Sequence, residues 1–261
     1  MNLLAGKKAL IVGVANHRSI AWGIAQAMHA QGCALAFTTL EATEKWVRPL
    51  SESVGGAFVV PCDVSRDESL DALFAKVDEA WGTFDYLIHS VAFAPTEALT
   101  KGFLETRRED FRVALDVSAY SLVALVQRAA PRMNEGGSII TLTYHGSRQI
   151  IPHYNVMGVA KAALECAVRY LAPELGERNI RINAISSGPI RTLAASAIGG
   201  FKKMLDGTRK AAPLKRTVTQ EELGSTAVFL CSPMSSAITG ECLYVDCGLS
   251  LVGASSKEEQ G

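Results

Sequence analysis

Residues 8–38 have the sequence KALIVGVANHRSIAWGIAQAMHAQGCALAFT, and this stretch decides the fold. Lys8 to Val12 is a short apolar run typical of a buried strand, and the apolar spacing from Ile20 to Gln31 predicts a helix that ends at Gly32. A second apolar run, Ala34 to Thr38, follows at once. A strand, a helix and a strand in this order form a right-handed unit whose two strands lie parallel.

The same alternation continues along the chain. The remaining predicted strands are Ala57–Val60, Asp85–Ser90, Ser138–Thr143, Ile180–Ile185 and Cys242–Asp246, and the remaining predicted helices are Ala42–Val54, Ser65–Trp81, Arg108–Met133, Tyr154–Leu175 and Thr219–Cys231. Because the strands are apolar throughout, we expect helices on both faces of the sheet. The sequence therefore predicts an α/β fold, a single doubly wound (Rossmann-type) parallel sheet of about seven strands, with residues 1–261 in one domain.

The composition excludes several classes of protein. The chain has 261 residues, of which 48% are hydrophobic, and its 26 basic and 26 acidic residues give a net charge of zero. A chain this apolar and balanced is not intrinsically disordered, and it lacks the basic excess typical of proteins that bind nucleic acids or membrane surfaces. We find no secretory signal and no apolar run near the roughly 20 residues of a membrane-spanning helix, so we expect a soluble cytoplasmic protein.

The cysteine pattern does not indicate a metal site. The six cysteines form no Cys-x-x-Cys pair; they are Cys33, Cys62, Cys166, Cys231, Cys242 and Cys247. We expect buried free thiols and no bound metal.

A glycine-containing loop follows the first strand, Gly13-Val-Ala-Asn-His-Arg-Ser19-Ile20. Glycine at this point lets the backbone approach a pyrophosphate, and the N-terminus of the next helix supplies N–H donors and a positive partial charge. The first strand–helix turn of a doubly wound sheet is where dinucleotides bind. An ordinary strand–helix turn is the alternative, because the glycine spacing differs from GxGxxG.

Small and acidic residues follow two further strands. After the third strand, the Asp63 carboxylate can accept a hydrogen bond from an adenine amino group, and after the fourth, Ser90 and Ala92 let the backbone pass close to a ligand. Each also has a plain alternative, Asp63 as a turn former and the other two as packing residues. Because all three lie at carboxyl ends of parallel strands, together they favour a dinucleotide site.

Tyr154 and Lys161 form the strongest candidate catalytic pair. Seven residues, two helical turns, bring both side chains to nearly the same face, and helical side chains lean toward the N-terminus. An ammonium beside a phenol lowers the phenol pKa, and such a pair can stabilise or protonate an oxyanion formed by hydride transfer. The alternative is a packed tyrosine and a solvated lysine, since both are common on helices at this spacing.

With this Tyr-x6-Lys pair, the chain resembles the short-chain dehydrogenase/reductase family over nearly its whole length. Three of the family's usual motifs are replaced. Gly13-x5-Ser19-Ile-Ala-x-Gly23 stands in place of the loop TGxxxGxG, and His89-Ser-Val-Ala-Phe93 in place of NNAG. Thr141-Leu-Thr143 occupies the region of the catalytic serine, which is missing.

These departures resemble the divergent subgroup of enoyl-acyl-carrier-protein reductases. So do the second tyrosine, Tyr144, and the stretches Ile151–Lys161 and Ser187–Ser196. The resemblance implies that NADH delivers hydride to the β-carbon of a trans-2-enoyl thioester in fatty acid elongation, leaving an enolate. It implies that Tyr154 hydrogen-bonds the enolate oxygen, that Lys161 holds the nicotinamide ribose and supplies positive charge, and that Tyr144 lines the acyl pocket and assists.

The same resemblance implies the other site residues. The expected cofactor contacts are Gly13, Ser19, Ile20, Asp63, Val64, Ser90, Ala92, Lys161, Ile190 and Thr192. The expected substrate contacts are Phe93, Ala94, Tyr144, Tyr154, Met157, Ile198 and Phe201. Core packing is the alternative for Phe93 and Met157.

A substrate-binding loop is expected at about residues 192–210, rich in small residues that suit a lid. Its basic residues, Lys202, Lys203, Arg209 and Lys210, either receive the acidic acyl carrier protein or form a solvated face. By family resemblance we also expect a homotetramer in which the two long helices pack between subunits.

The end of the second strand bears on the choice of cofactor. The stretch Phe37-Thr-Thr-Leu-Glu41 lacks the Arg or Lys that would pair with a 2′-phosphate, which favours NADH. Leu40 stands where many NADH-using relatives have glutamine, so NADPH is the alternative. Two rival functions are a carbonyl or ketoacyl reductase, which the missing serine disfavours, and an NAD-binding regulator, which would not need Tyr154 and Lys161.

Overall fold

The structure, a computed structural model, describes residues 2–192 and 201–253, and the side chains of all of these except 201–203. Its centre is one sheet of seven strands in the order β3-β2-β1-β4-β5-β6-β7, and every neighbouring pair is parallel. The strands are β1 (Lys8–Val12), β2 (Ala34–Thr39), β3 (Val59–Pro61), β4 (Phe84–His89), β5 (Met133–Thr143), β6 (Arg181–Ser187) and β7 (Cys242–Val245). The predicted doubly wound fold is confirmed.

Apolar side chains alternate between the two faces of the sheet, and each face has its own core. Leu10 and Val12 of β1 pack on one side, and Ala9 and Ile11 on the other. Both sets are buried, which explains why the strands are apolar without alternation.

Helices cover both faces. They are α1 (Ile20–Ala30), α2 (Glu44–Ser53), α3 (Asp67–Ala80), α4 (Thr96–Thr100), α5 (Arg108–Leu115), α6 (Ser121–Ala129), α7 (Val156–Gly176), α8 (Phe201–Ala211) and α9 (Gln220–Cys231). Most buried apolar residues of α1, α2 and α9 belong to one core, and most of those of α3, α6 and α7 to the other. The winding changes direction between β1 and β4, which opens a crevice at the carboxyl ends of these strands.

Two helices differ from the sequence prediction. The helix predicted from Arg108 to Met133 is interrupted by a π-helical turn at Asp116–Tyr120, which joins α5 to α6. The helix predicted to begin at Tyr154 begins at Val156, because Asn155 has a positive φ of 42° and stops helical geometry there. Tyr154 therefore lies in the turn before the helix.

Part of the predicted substrate-binding loop is helical. Its last part, from Phe201 onward, belongs to α8, an 11-residue helix. Residues 193–200 lie outside the described residues.

Within the part of the chain that the structure describes, one helical segment, Arg108–Arg132, is long and apolar enough by length and composition alone to cross a membrane. Half of its apolar window is buried inside the protein, and Leu122, Leu125 and Ala129 are fully enclosed. A core helix passes the same length-and-composition test, so the segment is accounted for by the sheet it covers.

All six cysteines are free thiols. Cys33, Cys62 and Cys231 are buried as predicted, whereas Cys166, Cys242 and Cys247 are half-buried. Burial raises the pKa of the Cys62 thiol to about 11, so it stays protonated at neutral pH.

Candidate active site

The glycine loop after β1 lies against the end of β4. Gly13 has φ +108°, and a Cβ there would lie 2.1 Å from the Ser90 carbonyl oxygen. The Ser90 N–H in turn donates to the Val12 carbonyl at 2.9 Å. Glycine is therefore required at position 13, because the backbone of residue 90 leaves no room for a side chain. This contact lies at the crevice between β1 and β4, where the sequence predicts a dinucleotide site.

The rest of this loop is shaped by Ser19 and by a distant glutamine. The Ser19 hydroxyl accepts hydrogen bonds from the N–H groups of Ala15 at 3.0 Å and Asn16 at 3.1 Å. It does not cap α1, which begins at Ile20. Gln220, at the start of α9, donates its amide to the Ser19 carbonyl at 2.7 Å. Gln220 could not be identified from the sequence because it lies 201 positions from Ser19.

Asp63 follows β3 and forms a turn. Its Oδ1 accepts from the Ser65 N–H at 3.0 Å and from the Ser65 hydroxyl at 2.7 Å. Asp63 thus forms a turn, which was the alternative interpretation from the sequence. Its contact with an adenine stays a prediction. Val64 beside it is buried, and Ala92 after β4 is exposed.

His89, the last residue of β4, joins three elements through a buried network. Its Nδ1 lies 2.8 Å from the Thr141 hydroxyl of β5, and its Nε2 lies 2.9 Å from the Ser121 hydroxyl of α6. Ser121 donates to the Val117 carbonyl at 2.7 Å, so it accepts from His89 Nε2–H, and Thr141 donates to Nδ1. Burial, with the nearby Lys161 charge adding, lowers the pKa of His89 to about 3, and the ring is neutral.

Tyr154 lies in a strained turn. His153 and Asn155 on either side of it have φ values of 62° and 42°. The Asn155 amide anchors this turn by donating to the Lys101 carbonyl at 2.8 Å. Positive φ at non-glycine residues costs about 1–3 kcal/mol each and is concentrated at functional sites.

The two tyrosine rings share one glycine. Tyr144 and Tyr154 meet edge to face, with ring centroids 5.0 Å apart. A Cβ on Gly146 would lie 2.6 Å from Tyr154 Cδ1 and 3.2 Å from Tyr144 Cδ1, so only glycine fits beneath the rings. The Tyr144 hydroxyl lies 3.9 Å from the Met204 sulfur, which brings α8 over the pair. Neither Gly146 nor Met204 was identified from the sequence.

The phenols stay protonated in this setting. Burial raises the pKa of Tyr144 to about 12. The pKa of Tyr154 is raised further, first by burial and then by the charges of Tyr144 and Glu165. A lowered pKa of Tyr154 beside Lys161 was predicted; in the structure burial dominates and raises that pKa, so Tyr154 is a hydrogen-bond donor.

Lys161 is 5% exposed and lies on α7. Its ammonium donates to the Leu142 carbonyl at the end of β5, at 2.7 Å. Burial lowers the pKa of Lys161 to about 8, and the Glu165 carboxylate opposes that shift. Lys161 is not the solvated surface residue that stood as the alternative.

The predicted substrate residues fall in different environments. Phe93 is 54% exposed, which rules out core packing for it, and Ala94 is half-buried beside Ala98. Met157 is buried, with its sulfur 3.7 Å from the Ser118 hydroxyl of the π-helical turn. Ser118 also accepts from the Phe93 N–H at 2.9 Å, so the turn positions the segment after β4. Ile198 and the Phe201 side chain lie outside the described residues.

The remaining predicted residues lie near the end of β6 and on α8. Ile190 is half-buried and packs against the core under α1 and α9, and Thr192 is half-buried. Arg209 pairs with Asp206 at 3.3 Å, and Lys210 is exposed, whereas the Lys202 and Lys203 side chains are not described. Over residues 2–192 and 201–253, no group of three or more His, Cys, Asp or Glu side chains is placed to hold a metal ion.

The chain is similar along its length to reductases of one kind. The family model described as Enoyl-(Acyl carrier protein) reductase matches residues 13–250. The enoyl-[acyl-carrier-protein] reductase [NADH] FabI of Nostoc sp. is 53% identical over 254 residues, covering 96% of this chain and 98% of the relative.

Solved structures give the same result. The Bacillus cereus enoyl-acyl carrier protein reductase, solved with NADP+ and indole naphthyridinone, has a TM-score of 0.95 and 48% identity over 97% of this chain and 100% of that one. The Anaplasma phagocytophilum reductase in complex with NAD has a TM-score of 0.93 and 46% identity over 98% of each chain. The chain therefore belongs to the family of enoyl-(acyl carrier protein) reductases.

Proposed function

We propose that the protein performs the reaction named for its relatives, NADH-dependent reduction of an enoyl group on acyl carrier protein, with Tyr154 and Lys161 as its catalytic residues. The observation that carries this proposal is the meeting of four features at one edge of the sheet. The glycine loop, the buried Lys161, the protonated Tyr154 and the second phenol, Tyr144, all follow or face carboxyl ends of parallel strands.

The residues at the crevice fit a dinucleotide. Gly13 brings two backbone segments together, and α1 begins at Ile20 with the Ser19 hydroxyl turned back into the loop, which suits a pyrophosphate. Asp63 and Val64 would contact the adenine, Ser90 and Ala92 would contact the adenosine, and Ile190 and Thr192 would hold the nicotinamide carboxamide. Bound NADH supplies the hydride. The end of β2, with exposed Leu40, offers no cation for a 2′-phosphate, so NADH is the proposed cofactor.

Tyr154 acts as the donor to the enolate. Because burial keeps its phenol protonated, Tyr154 can donate a hydrogen bond to the thioester oxygen as negative charge develops there. Lys161, whose ammonium donates to the Leu142 carbonyl, would supply positive charge at this end of the sheet and would hold the nicotinamide ribose. Tyr144 packs edge to face on Tyr154 and lines the acyl pocket with Phe93, Ala94 and Met157.

The hydroxyls that replace the family's usual serine support an enoyl rather than a carbonyl substrate. The Thr141 hydroxyl is bonded to His89, and the Thr143 hydroxyl to Glu165 at 2.8 Å. Leu142 between them has no hydroxyl, and its carbonyl accepts from Lys161. Both threonines are thus committed inside the protein, and neither presents the donor that a ketoacyl reductase would use.

The assembly and setting follow from the same proposal. We propose a homotetramer of single-domain subunits that receives acyl carrier protein, in the cytoplasm, without membrane or nucleic-acid partners. Exposed apolar side chains on the two long helices, Phe111, Tyr120 and Val159, support packing between subunits. The neutral net charge supports the absence of nucleic acid.

Initial rates of NADH oxidation test the proposed reaction. We expect turnover with a trans-2-enoyl thioester and NADH, slower turnover with NADPH, and none with a 3-ketoacyl thioester. Turnover with the ketoacyl substrate alone would mean that another group replaces the missing serine and that the proposed function is wrong. Tight NADH binding without turnover of either substrate would instead favour a regulatory protein.

A further inference from the structure

Glu165 is a buried carboxylate that the proposed reaction does not use. It is 4% exposed and lies on α7, one helical turn beyond Lys161. Residues four apart on a helix are neighbours on one face, so Glu165 follows the lysine along the face that meets the end of β5. A buried carboxylate is costly unless it is paired and hydrogen-bonded.

Two hydroxyls satisfy the same oxygen of this carboxylate. Glu165 Oε1 accepts from the Thr143 hydroxyl at 2.8 Å and from the Ser147 hydroxyl at 2.6 Å. Thr143 ends β5 and Ser147 closes the short turn after it, so the two donors stand on either side of Tyr144 and Gly146. The carboxylate therefore ties the turn that carries Tyr144 to the helix that carries Lys161.

The charges around this pair come from several elements. Arg148, in the turn after β5, lies 3.5 Å from the other oxygen, Oε2, but its side chain is 58% exposed, which weakens that pair. Among the described residues, further titratable groups lie near Glu165 or Lys161: His89 of β4, Tyr154, and Cys242 and Tyr244 of β7. Arg169 of α7 and Glu241, just before β7, line one cavity together with Glu165. His89 is neutral, and burial raises the pKa values of Tyr154, Cys242 and Tyr244. Glu165 is thus the buried negative charge closest to Lys161 along the helix.

We propose that Glu165 is a positioning residue for the reaction: its carboxylate holds the Tyr144 turn in place and supplies the charge that keeps Lys161 an ammonium. This inference rests on the proposed function of Tyr154 and Lys161. An opposite charge within about 4–6 Å favours the charged form of a group, so losing the carboxylate leaves burial of Lys161 less opposed.

Replacement of the charge alone is the main test. Glu165→Gln keeps the size of the side chain and removes its charge. We expect the alkaline limb of the kcat/KM profile to move about one pH unit toward lower pH, since the ammonium is then lost earlier. At pH values above both limbs, the variant has roughly one tenth of the ammonium fraction of the wild type and therefore about one tenth of its rate. The NADH dissociation constant, measured by fluorescence without substrate, should increase over the same pH range.

Three further variants complete the test. Glu174→Gln makes the same change at an exposed position of α7, and its profile should match the wild type. Ser147→Ala removes one donor but leaves the charge, so it should lower kcat without moving the limb. Glu165→Asp, which keeps the charge on a shorter side chain, should behave as Ser147→Ala does, and it serves if the glutamine variant does not fold.

Two results would overturn the inference. One is a folded Glu165→Gln protein with an unmoved alkaline limb; the other, used where Gln does not fold, is a Glu165→Asp protein with wild-type kcat. Both differ from failure of the proposed function itself, which would appear as full activity of Tyr154→Phe.

Discussion

Gly146→Ala places a methyl group under both tyrosine rings. The new Cβ would lie 2.6 Å from Tyr154 Cδ1 and 2.9 Å from Cε1. Carbon atoms in contact normally stay about 3.5–4.0 Å apart, so the Tyr154 ring has to move by about 1 Å. A displacement of this size at a catalytic group costs roughly 100-fold in rate, and the overpacking costs about 1–3 kcal/mol of stability.

The assay is kcat for enoyl thioester reduction, with the NADH dissociation constant and urea unfolding measured on the same preparation. We expect kcat to fall roughly 100-fold while NADH affinity stays near that of the wild type, because the clash is at the tyrosines and not at the glycine loop. Gly176→Ala is the matched control, since its Cβ meets nothing within 4 Å and Gly176 is in helical conformation. A folded Gly146→Ala enzyme with wild-type kcat would refute the argument that these rings must stay where they are.

Three other predictions follow from buried or strained groups. The pKa of His89 is 6.5 in the unfolded chain and about 3 in the fold. Stability is therefore full above pH 6.5 and falls as the pH drops toward 3. The free energy of unfolding, measured with urea, should fall by about 2 kcal/mol between pH 7 and pH 5. A flat profile there would show that the ring is not held neutral. Gly13→Ala should cost roughly 3 kcal/mol or more by the same measurement, because its Cβ meets the Ser90 carbonyl at 2.1 Å; a stable variant would mean that the two segments separate easily. Asn155→Ala loses the side-chain hydrogen bonds that anchor the Tyr154 turn. It should lower the unfolding free energy by about 1–2 kcal/mol and should also lower kcat. If both values were unchanged, Asn155 would not be an anchor of this turn.

The sheet could be predicted because its signals are local. Most strands are short apolar runs, and Gly32, Gly55 and Gly82, which follow helices, all have positive φ. The exception is β5, whose polar first half, from Met133, was not predicted as strand. Glycine at these points and the apolar period are properties of a few neighbouring residues, so the order of strands and helices followed from the sequence.

The conformation of the tyrosine turn could not be predicted in this way. The Tyr-x6-Lys spacing suggested two turns of one helix, but Asn155 takes a positive φ because its amide is bonded to carbonyls near Lys101, 54 positions away. The pKa of Tyr154 also differs from the prediction: burial raises it, and the extent of burial depends on the whole fold.

Other residues of the candidate site gave a weak signal in the sequence or none. Gln220 and Gly146 act through contacts that only the tertiary structure creates. Glu165 had one usable signal: it stands four residues after Lys161 in a helix whose same face is otherwise apolar, at Val168 and Ala172. A carboxylate in that position indicates a buried partner.

In the proposed reaction, Tyr154 donates a hydrogen bond to the enolate during hydride transfer. This step is tested most directly by the single-turnover rate of NADH oxidation by Tyr154→Phe with a trans-2-enoyl thioester. Tyr170→Phe, which removes a phenol 76% exposed on α7, the helix that follows the Tyr154 turn, is the control. We predict a fall of about 100-fold or more for Tyr154→Phe, with unchanged NADH affinity and a wild-type rate for Tyr170→Phe. A wild-type rate for Tyr154→Phe would contradict the account.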